Sequence, residues 1–539
     1  MNAYDLKDIQ VTTTPRPQQT ELLEFTKDAI LGNKKFIVLD APTGTGKSVF
    51  SVMFMDWYKK NYNITAQFDL LTNSKILQEQ YTNEFEFMNS LWGKASYQCD
   101  KYNCTCDVGR EWAKIQNSKC EQCPYTTAKY KFENGDVALT NYHLFLTYMN
   151  YMPGAWKRSS SVLIIDEAHS FETVFCDFIS TKISRPLLRR NGLDEEETQA
   201  ALNVFGEYME DLSLAEFVQI LQNDFLPIIQ TVTNRLGREA ENGSIQSLKH
   251  LQSLANNLLK WQSLCEEYEN LPSSWILETE KIYAKDNKSY HIELAAQPVW
   301  AYPYLKEKIW DRYDYVIFMS GTILDKKLFC QMNDLDYDST VYKALDSPFP
   351  LKNRPIYFFN KIGKQTYATK EIVWPKQKEV LEKILKKYKS SKGIIHTANY
   401  QLQQWVVRDI ESDKLLAHTS ENRTDVVQQH YNSNQPTVLV SPSLFTGLDL
   451  KDDFSRHQTI LKVPYPNLKS KKVVKRMETN KAWYSLQTVQ DFVQSYGRSI
   501  RSMEDFADTY ILDGSFENVL KYSRHLFPKW VLDALHYIN

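Results

Sequence analysis

At 539 residues, the chain is too long for one hydrophobic core, so we expect several domains of about 100–200 residues each. Hydrophobic residues make up 42% of the chain and aromatic residues 13%, and this composition excludes a disordered protein. The 64 Lys and Arg residues and the 66 Asp and Glu residues give a net charge of −2, which excludes a basic field over the whole molecule. Any contact with a nucleic acid must therefore be local.

The first predicted elements are a strand, a glycine-containing loop and a helix. Phe36–Asp40 is a short apolar run rich in β-branched residues, and a helical stretch extends from Lys47 to about Lys59. Later apolar runs alternate with helical patterns, as expected for parallel sheets covered by helices. These runs are Ser161–Asp166, Tyr315–Met319, Gly393–His396 and Thr437–Ser441. The alternation predicts an α/β fold with two such sheets.

Two segments interrupt the α/β pattern. Residues 86–135 are rich in cysteine, and residues 172–272 place apolar side chains at the three- and four-residue spacings typical of helices. After the helical segment, residues 275–297 are predicted to form two strands around an Asp-Asn-Lys-Ser turn. We therefore assign the first α/β domain to residues 1–85, 136–171 and 273–340, and the second to residues 341–539.

The sequence shows none of the segments typical of membrane proteins. No apolar stretch reaches the roughly 18 residues that a spanning helix needs, and no apolar run follows basic residues at the start of the chain. We therefore expect a cytoplasmic protein without membrane contact.

A phosphate-binding P-loop is predicted directly after the first strand. The motif consists of Ala41, Pro42, Thr43, Gly44, Thr45, Gly46, Lys47 and Ser48. It departs from the usual pattern only at Ala41, a small residue in place of the first glycine. Backbone N–H groups of the loop can bind phosphates, Lys47 can neutralise the β- and γ-phosphate oxygens, and Ser48 can ligate Mg²⁺. We therefore expect ATP as the ligand.

A second part of the nucleotide site is predicted where the run Ser161–Asp166 ends. Here Asp166 is followed by Glu167, Ala168 and His169. Asp166 is expected to hold Mg²⁺, and Glu167 is expected to orient or deprotonate the attacking water. His169 is a candidate link to a neighbouring domain. An acidic pair at the end of a strand is often a solvated turn, and only the P-loop makes this one a catalytic candidate.

With these motifs the sequence resembles the DEAH-type helicases of superfamily 2. The resemblance continues in chain order and implies a role for each matching residue. Arg16 and Gln19 resemble a motif that reads adenine, and Ser320-Gly321-Thr322 resembles a motif that couples ATP hydrolysis to movement. Gly447 and Asp449 fall in a motif that senses nucleotide and nucleic acid together. Gln494, Arg498 and Arg501 match the QxxGRxxR pattern, whose arginines contact the γ-phosphate.

The spacing of the two arginines has a physical interpretation. Residues at positions i and i+3 lie on one face of a helix, so Arg498 and Arg501 could both point towards a phosphate held by the first α/β domain. Without other motifs, two arginines at this spacing usually lie at the surface and form ion pairs with acidic residues.

Five of the eight cysteines lie within residues 99–123. They are Cys99, Cys104, Cys106, Cys120 and Cys123. The spacing suits four thiolates around zinc or an iron–sulfur cluster equally well, and it does not choose between them. Five free thiols are a third alternative. Five cysteines compete for four places, and of Cys104 and Cys106 we favour Cys104, because the two are separated by one residue and could share a site only through a sharp turn.

The flanks of the cysteines resemble the XPD/DinG family. The matching segments are Leu91–Cys99, Cys123–Tyr125 and Thr140–Leu144. The resemblance implies a [4Fe–4S] cluster held by Cys99, Cys120, Cys123 and one further cysteine. It also implies that residues 172–272 form an Arch-like domain and that the two α/β domains are RecA-like motor domains.

The resemblance further implies an ATP-dependent DNA helicase that moves 5′→3′ on single-stranded DNA. We expect single-stranded and forked DNA as partners and a monomeric protein. Two alternatives are a translocase that does not unwind duplexes and a redox-sensitive nucleic-acid-binding switch. A basic run could contact phosphate or could simply be solvated; it comprises Lys469, Lys471, Lys472, Lys475 and Arg476.

Overall fold

Two parallel β-sheets, each covered by helices, form the framework of the molecule. The structure is a computed structural model, and it describes residues 15–538 other than 119, 121–122, 207–208, 284–288 and 444–449. Within this part of the chain, no helix is long and apolar enough to cross a membrane. The two sheets confirm the predicted α/β class.

The first α/β domain begins with alternating helices and strands. Its first strand, Phe36–Asp40, is buried along its whole length, as its apolar sequence predicts. These elements are α1 (Pro17–Leu31), β1 (Phe36–Asp40), α2 (Lys47–Asn61), β2 (Phe68–Thr72), α3 (Lys75–Glu84) and β3 (Asn89–Ser90).

The cysteine-rich segment is a small unit between β3 and the next strand of the first sheet. It holds a two-stranded antiparallel ladder and two helices, and it packs its own small apolar cluster. Its elements are β4 (Gln98–Cys99), β5 (Cys104–Thr105), α4 (Cys106–Ile115) and α5 (Pro124–Asn134).

The chain then returns to the first sheet with β6 (Val137–Asn141), α6 (Tyr142–Tyr151), β7 (Val162–Asp166) and α7 (Phe171–Ile179). The side chain of Asn141 begins α6 by accepting a hydrogen bond from the backbone N–H of Leu144, at 3.1 Å. Helix α7 follows directly on the acidic end of β7, so it connects the predicted catalytic residues to the insertion that follows.

The insertion contains helices and a three-stranded antiparallel sheet. The sheet has the order β8–β10–β9 and is separate from the first sheet. The elements are β8 (Thr181–Ser184), α8 (Arg185–Arg190), α9 (Glu195–Asn203), α10 (Leu214–Ile220), α11 (Leu226–Glu241), α12 (Ile245–Asn270), β9 (Trp275–Tyr283) and β10 (Tyr290–Pro298). The predicted hairpin is confirmed, but most of its turn lies outside the described residues.

The first α/β domain ends with α13 (Tyr302–Lys308), β11 (Tyr315–Ser320), α14 (Lys326–Met332) and β12 (Thr340–Ala344). Its sheet has the order β12–β1–β11–β7–β2–β6–β3. Two predicted boundaries therefore move. The hairpin pairs with β8 and belongs to the insertion rather than to the domain that we assigned from residue 273. Strand β12 pairs with β1, so the first domain extends beyond residue 340.

The second α/β domain has a parallel sheet of the order β15–β16–β14–β17–β18–β13–β19. Its strands are β13 (Ile356–Phe359), β14 (Gly393–His396), β15 (Leu415–Ala417), β16 (Val438–Ser441), β17 (His457–Ile460), β18 (Asp508–Ile511) and β19 (Leu535–Ile538). Its helices are α15 (Lys370–Lys387), α16 (Tyr400–Asp409), α17 (Arg423–Asn432), α18 (Lys471–Thr479), α19 (Lys481–Tyr496), α20 (Phe516–Ser523) and α21 (Lys529–Leu532).

Candidate active site

The P-loop connects β1 to α2 in the predicted conformation. Gly44 and Gly46 have φ angles of 85° and 82°, in the left-handed region that favours glycine. A Cβ atom on Gly44 would lie 2.2 Å from the ring of Phe349, and one on Gly46 would lie 2.0 Å from Nε2 of Gln19. Ala41, by contrast, is fully buried and its backbone N–H donates to Ser320, so an alanine fits at this position.

Arg16 and Gln19 contact the same loop from the start of α1. The Arg16 guanidinium donates to the carbonyl oxygen of Gly44 at 2.5 Å, and Gln19 Nε2 donates to that of Gly46 at 3.3 Å. Lys47 Nζ donates to the carbonyl oxygen of Ala41 at 2.9 Å. The predicted adenine-reading residues and the P-loop therefore form one continuous surface.

Asp166 and Glu167 lie at the carboxyl end of β7, on the same side of the sheet as the P-loop. The hydroxyl group of Tyr81 donates to Oδ2 of Asp166 at 3.0 Å. Burial, reinforced by the charge of Glu167, raises the pKa of Asp166 to about 6. Burial also acts to raise the pKa of Glu167, but His169 beside it and the positive charges of Lys47 and the two arginines outweigh burial and lower that pKa. Glu167 is therefore the more readily ionised member of the pair.

His169 connects the acidic strand end to the coupling motif. Its Nδ1 atom lies 2.7 Å from Oγ of Ser320 and 3.4 Å from a carboxylate oxygen of Glu167. Burial lowers the pKa of His169, so the ring is neutral at pH 7. This contact lies within the first α/β domain, because Ser320 ends β11, the neighbour of β7.

Glutamines of α19 form one link between the two α/β domains. Gln494 Nε2 donates to the hydroxyl group of Thr322 at 2.5 Å, and Gln490 Nε2 donates to the carbonyl oxygen of Thr322 at 2.9 Å. The Gln494 carbonyl oxygen in turn accepts from Arg498, at 2.8 Å. The coupling motif of one domain therefore contacts the arginine motif of the other directly.

The two arginines do not lie on a helix face as predicted. Helix α19 ends at Tyr496, Gly497 caps it, and Arg498 and Arg501 follow in the next loop. The loop is held in place by a hydrogen bond from the backbone N–H of Arg501 to Asp505, at 3.1 Å. Both arginines nevertheless line a cleft between the domains, opposite Lys47 and Glu167.

The cleft contains residues that sequence reasoning did not identify. Phe349 lies in the connection between the domains and contacts the P-loop at Gly44. The Arg354 side chain donates to the carbonyl oxygen of Phe349 at 3.0 Å and is almost fully buried. Neither residue belongs to a recognisable motif. Gly447 and Asp449 lie outside the described residues, so their predicted roles stay predictions.

The five clustered cysteines converge in the small unit. Cys99 lies 3.6 Å from Cys120, Sγ to Sγ, and it also contacts Cys104, while Cys106 contacts Cys123. Burial raises the pKa of both Cys106 and Cys120 to about 11, so these thiols are protonated at pH 7. Within the described ranges, no group of three or more His, Cys, Asp or Glu residues has an arrangement that could hold a metal ion.

The donor chemistry of these five thiols suits a thiolate site. Their arrangement gives no preference for Cys104 over Cys106, since each contacts another cysteine. Helix α4 passes so close that a Cβ atom on Gly109 would lie 2.6 Å from Sγ of Cys99. The close approach shows why a glycine occurs at that position in the helix.

Three members of the basic run near residue 470 contact other parts of the chain, while Lys469 and Lys475 are exposed. Most of the run lies in helix α18, and Arg476 is buried in an ion pair with Glu172 of α7. Lys472 pairs with Asp177 at 3.3 Å, and Lys471 Nζ donates to the carbonyl oxygen of Leu277 at 3.2 Å. These contacts hold α18 of the second α/β domain against α7 and β9.

Two protein families match parts of the sequence. The family described as the helicase C-terminal domain matches residues 381–534, and the family described as the res subunit of type III restriction enzymes matches residues 12–186. No curated protein matches the chain in sequence.

Solved structures match over almost the whole chain. An XPD helicase is 16% identical, with 98% of this chain and 100% of that chain covered and a TM-score of 0.66. An apo XPD is 15% identical, with 97% and 100% covered and a TM-score of 0.62. Xpd4 of S. tokodaii is also 15% identical, with the same coverage and a TM-score of 0.60. At these identities, the likeness establishes a common fold.

The family matches lie on the P-loop part of the first α/β domain and on most of the second, and the match on the second domain is described as a helicase domain. The fold of the whole chain is that of the XPD helicases, and the predicted resemblance is confirmed at the level of the fold.

Proposed function

We propose that the protein is an ATP-dependent DNA helicase that moves 5′→3′ on single-stranded DNA and unwinds forked DNA, acting as a monomer in the cytoplasm. One observation carries this proposal: Lys47 and Glu167 of the first motor domain face Arg498 and Arg501 of the second across one cleft. Such a cleft closes around ATP and opens after hydrolysis, which lets the two domains step along a strand.

The residues of the cleft would have separate roles in ATP hydrolysis. The P-loop backbone and Lys47 would bind the phosphates, and Glu167, the ionised carboxylate, would take a proton from the attacking water. The arginines would neutralise charge that develops on the γ-phosphate. Ser48 and Asp166 are the residues that would hold Mg²⁺, which supplies further neutralisation of the phosphate oxygens when bound.

We also propose a [4Fe–4S] cluster in the cysteine-rich unit, with zinc as the alternative. The convergence of five thiols from three short segments supports this proposal. The test is the iron and zinc content of anaerobically purified protein together with its visible absorption. Iron together with visible absorption supports a cluster. Stoichiometric zinc in a colourless protein supports the alternative. A protein that contains neither iron nor zinc would overturn both the cluster and the zinc site.

The helicase proposal is tested with duplexes that carry either a 5′ or a 3′ single-stranded tail, with and without ATP. We expect unwinding of the 5′-tailed substrate only, and only with ATP. Unwinding from the 3′ tail would contradict the direction. ATP-driven movement along single strands without duplex separation would instead favour a translocase.

A matched pair of variants excludes contaminating activity. Glu167→Gln should bind ATP but lose hydrolysis, because an amide cannot accept the proton of the water. Glu379→Gln changes an exposed glutamate of α15 that pairs only with Lys383 among the described residues, and it should behave like the wild type.

A further inference from the structure

A buried ion pair joins the two motor domains. Arg476 of α18 and Glu172 of α7 are 2% and 1% exposed. The guanidinium donates to both carboxylate oxygens, at 2.7 and 3.1 Å, which is the bidentate geometry of a strong charge-assisted pair. The two residues are 304 positions apart in the chain.

Further contacts complete the hydrogen bonding of both groups. Arg476 Nε donates to the carbonyl oxygen of Val299 at 2.6 Å, and the backbone N–H of Ala301 donates to Glu172 at 3.1 Å. The guanidinium lies 4.5 Å from the ring of Trp300 and 5.2 Å from that of Trp483. A buried pair satisfied in this way from both domains resists separation, because opening it would leave two charges without partners.

An apolar core surrounds the pair and also spans the domain boundary. Trp300, Leu328 and Met332 of the first domain share this core with Trp483 and Leu486 of the second. The indole N–H of Trp300 donates to the hydroxyl group of Thr479 at 3.2 Å. The domains are therefore joined here by packing typical of a protein interior, whereas beside the cleft they are joined by hydrogen bonds from Gln490 and Gln494 to Thr322.

Both partners are connected to the catalytic residues by short, rigid elements. Glu172 follows Glu167 by five residues and lies in the first turn of α7. On the other side, α18 is followed at once by α19, which begins at Lys481 and has Gln494 in its last turn. The 16 residues of α19 span about 24 Å, so a rotation of about 10° at its start would move its end by about 4 Å.

We propose that the Glu172–Arg476 pair is the pivot of the ATP cycle: it stays closed in every nucleotide state, while the cleft opens and closes around it through α19. The pair positions the catalytic groups and does not touch the nucleotide. This inference rests on the proposed helicase function for its consequences in unwinding, but the immobility of the pivot is tested without DNA.

The first experiment is hydrogen–deuterium exchange on the wild-type protein, without nucleotide, with ADP and with AMP-PNP. We expect equal protection of Phe171–Ile179 and Lys471–Thr479 in all three states, and a change in the segment 494–501. Faster exchange of either helix in one nucleotide state would overturn the pivot. The exchange rates can be measured whether or not the protein unwinds DNA. Failure of the pivot proposal can therefore be distinguished from failure of the helicase proposal.

The second experiment measures base pairs unwound per ATP hydrolysed. In Glu172→Gln/Arg476→Met the buried charges are removed together, so the double variant should melt higher than either single variant. We expect its DNA-stimulated ATPase to stay within about twofold of the wild type, while its unwinding per ATP falls by roughly 3- to 30-fold. An unchanged ratio would overturn the proposal.

The chain offers a matched control for this experiment. Arg158 and Asp69 form another buried pair at 2.7 Å, with side chains 0% and 1% exposed, but both belong to the first motor domain. Asp69→Asn/Arg158→Met therefore removes a similar pair that bridges no cleft. Its unwinding per ATP should equal that of the wild type, and an equal loss in both double variants would overturn the assignment of a pivot.

Discussion

At the scale of single residues, the two carboxyl groups at the end of β7 have opposite pKa shifts because their neighbours differ. Asp166 is surrounded by buried groups and by the charge of Glu167, so its pKa is raised. Glu167 faces the positive charges of the cleft, including those of Arg498 and Arg501, and its pKa is lowered. Two adjacent carboxyl groups with separated pKa values can take different roles, one as a metal ligand and one as a base.

The same electrostatics gives a prediction for the arginines. Arg498→Ala and Arg501→Ala should each lower the turnover of ATP by about 10³- to 10⁵-fold, because each removes a positive charge from the γ-phosphate side of the cleft. Nucleotide affinity should change much less. Steady-state ATPase assays and nucleotide titrations measure the two effects. As a control, Arg408→Ala alters a side chain that is 72% exposed and pairs with Asp409, and it should leave turnover unchanged.

A second prediction concerns Asp491 of α19. Burial raises the pKa of this carboxyl group to about 7, well above its value in the unfolded chain. The folded protein therefore keeps a proton that the unfolded chain loses, and stability falls as the pH rises from about 4 to about 7. Asp491→Asn should remove this loss and raise the free energy of unfolding by roughly 1–3 kcal/mol at pH 8, with a smaller gain at pH 5. Thermal unfolding of the variant and the wild type at the two pH values measures the gain in stability. An equal gain at pH 5 and pH 8 would contradict the prediction.

Among the elements, the apolar strands could be predicted from the sequence. Of the elements around the site, only some could. β1, β7, β11, β14 and β16 coincide with apolar runs, because strands of a parallel sheet are buried on both faces and need continuous apolar sequence. The P-loop was predictable because its glycines and lysine follow from the chemistry of phosphate binding.

Other elements carry no such local signal. The spacing of Arg498 and Arg501 suits a helix, yet Gly497 ends α19 and places both in a loop. The lysines of α18 look like a phosphate-binding run, and only the folded chain brings Arg476 to Glu172, 304 residues away. Short strands such as β8 depend on their partners in the sheet, so sequence periodicity alone assigned that region to helices.

A prediction at this scale concerns α4. Gly109→Ala should disturb the thiol cluster, because its Cβ atom would lie 2.6 Å from Sγ of Cys99 and 2.9 Å from its Cβ. We expect a loss of roughly 1–3 kcal/mol in stability and a change in thiol reactivity or metal content. Gly237→Ala in α11 is the matched control, since no atom lies within 4 Å of the added Cβ. Alanine there should stabilise the helix by about 0.5–1 kcal/mol, and equal effects of both variants would contradict the steric argument.

At the scale of the whole molecule, the motor domains approach each other at two places of different character. One is the core around Glu172 and Arg476, which is closed and apolar. The other is the cleft between Lys47 and Arg498, where polar groups face a space. If the core stays closed, small changes at the cleft become a rotation of one domain about that core, as the proposed movement along a strand would require.

The last prediction concerns how nucleic acid is held by a molecule with a net charge of −2. Because the overall charge provides no attraction, binding of a single strand must come from a groove where basic groups displace counterions from phosphates. With four or more phosphate contacts, affinity for an oligonucleotide should fall at least about tenfold between 50 and 200 mM salt. Fluorescence anisotropy at several salt concentrations measures the slope. Lys47→Ala should show the same slope as the wild type, because Lys47 faces the nucleotide cleft. Affinity that is independent of salt would contradict a groove of this kind.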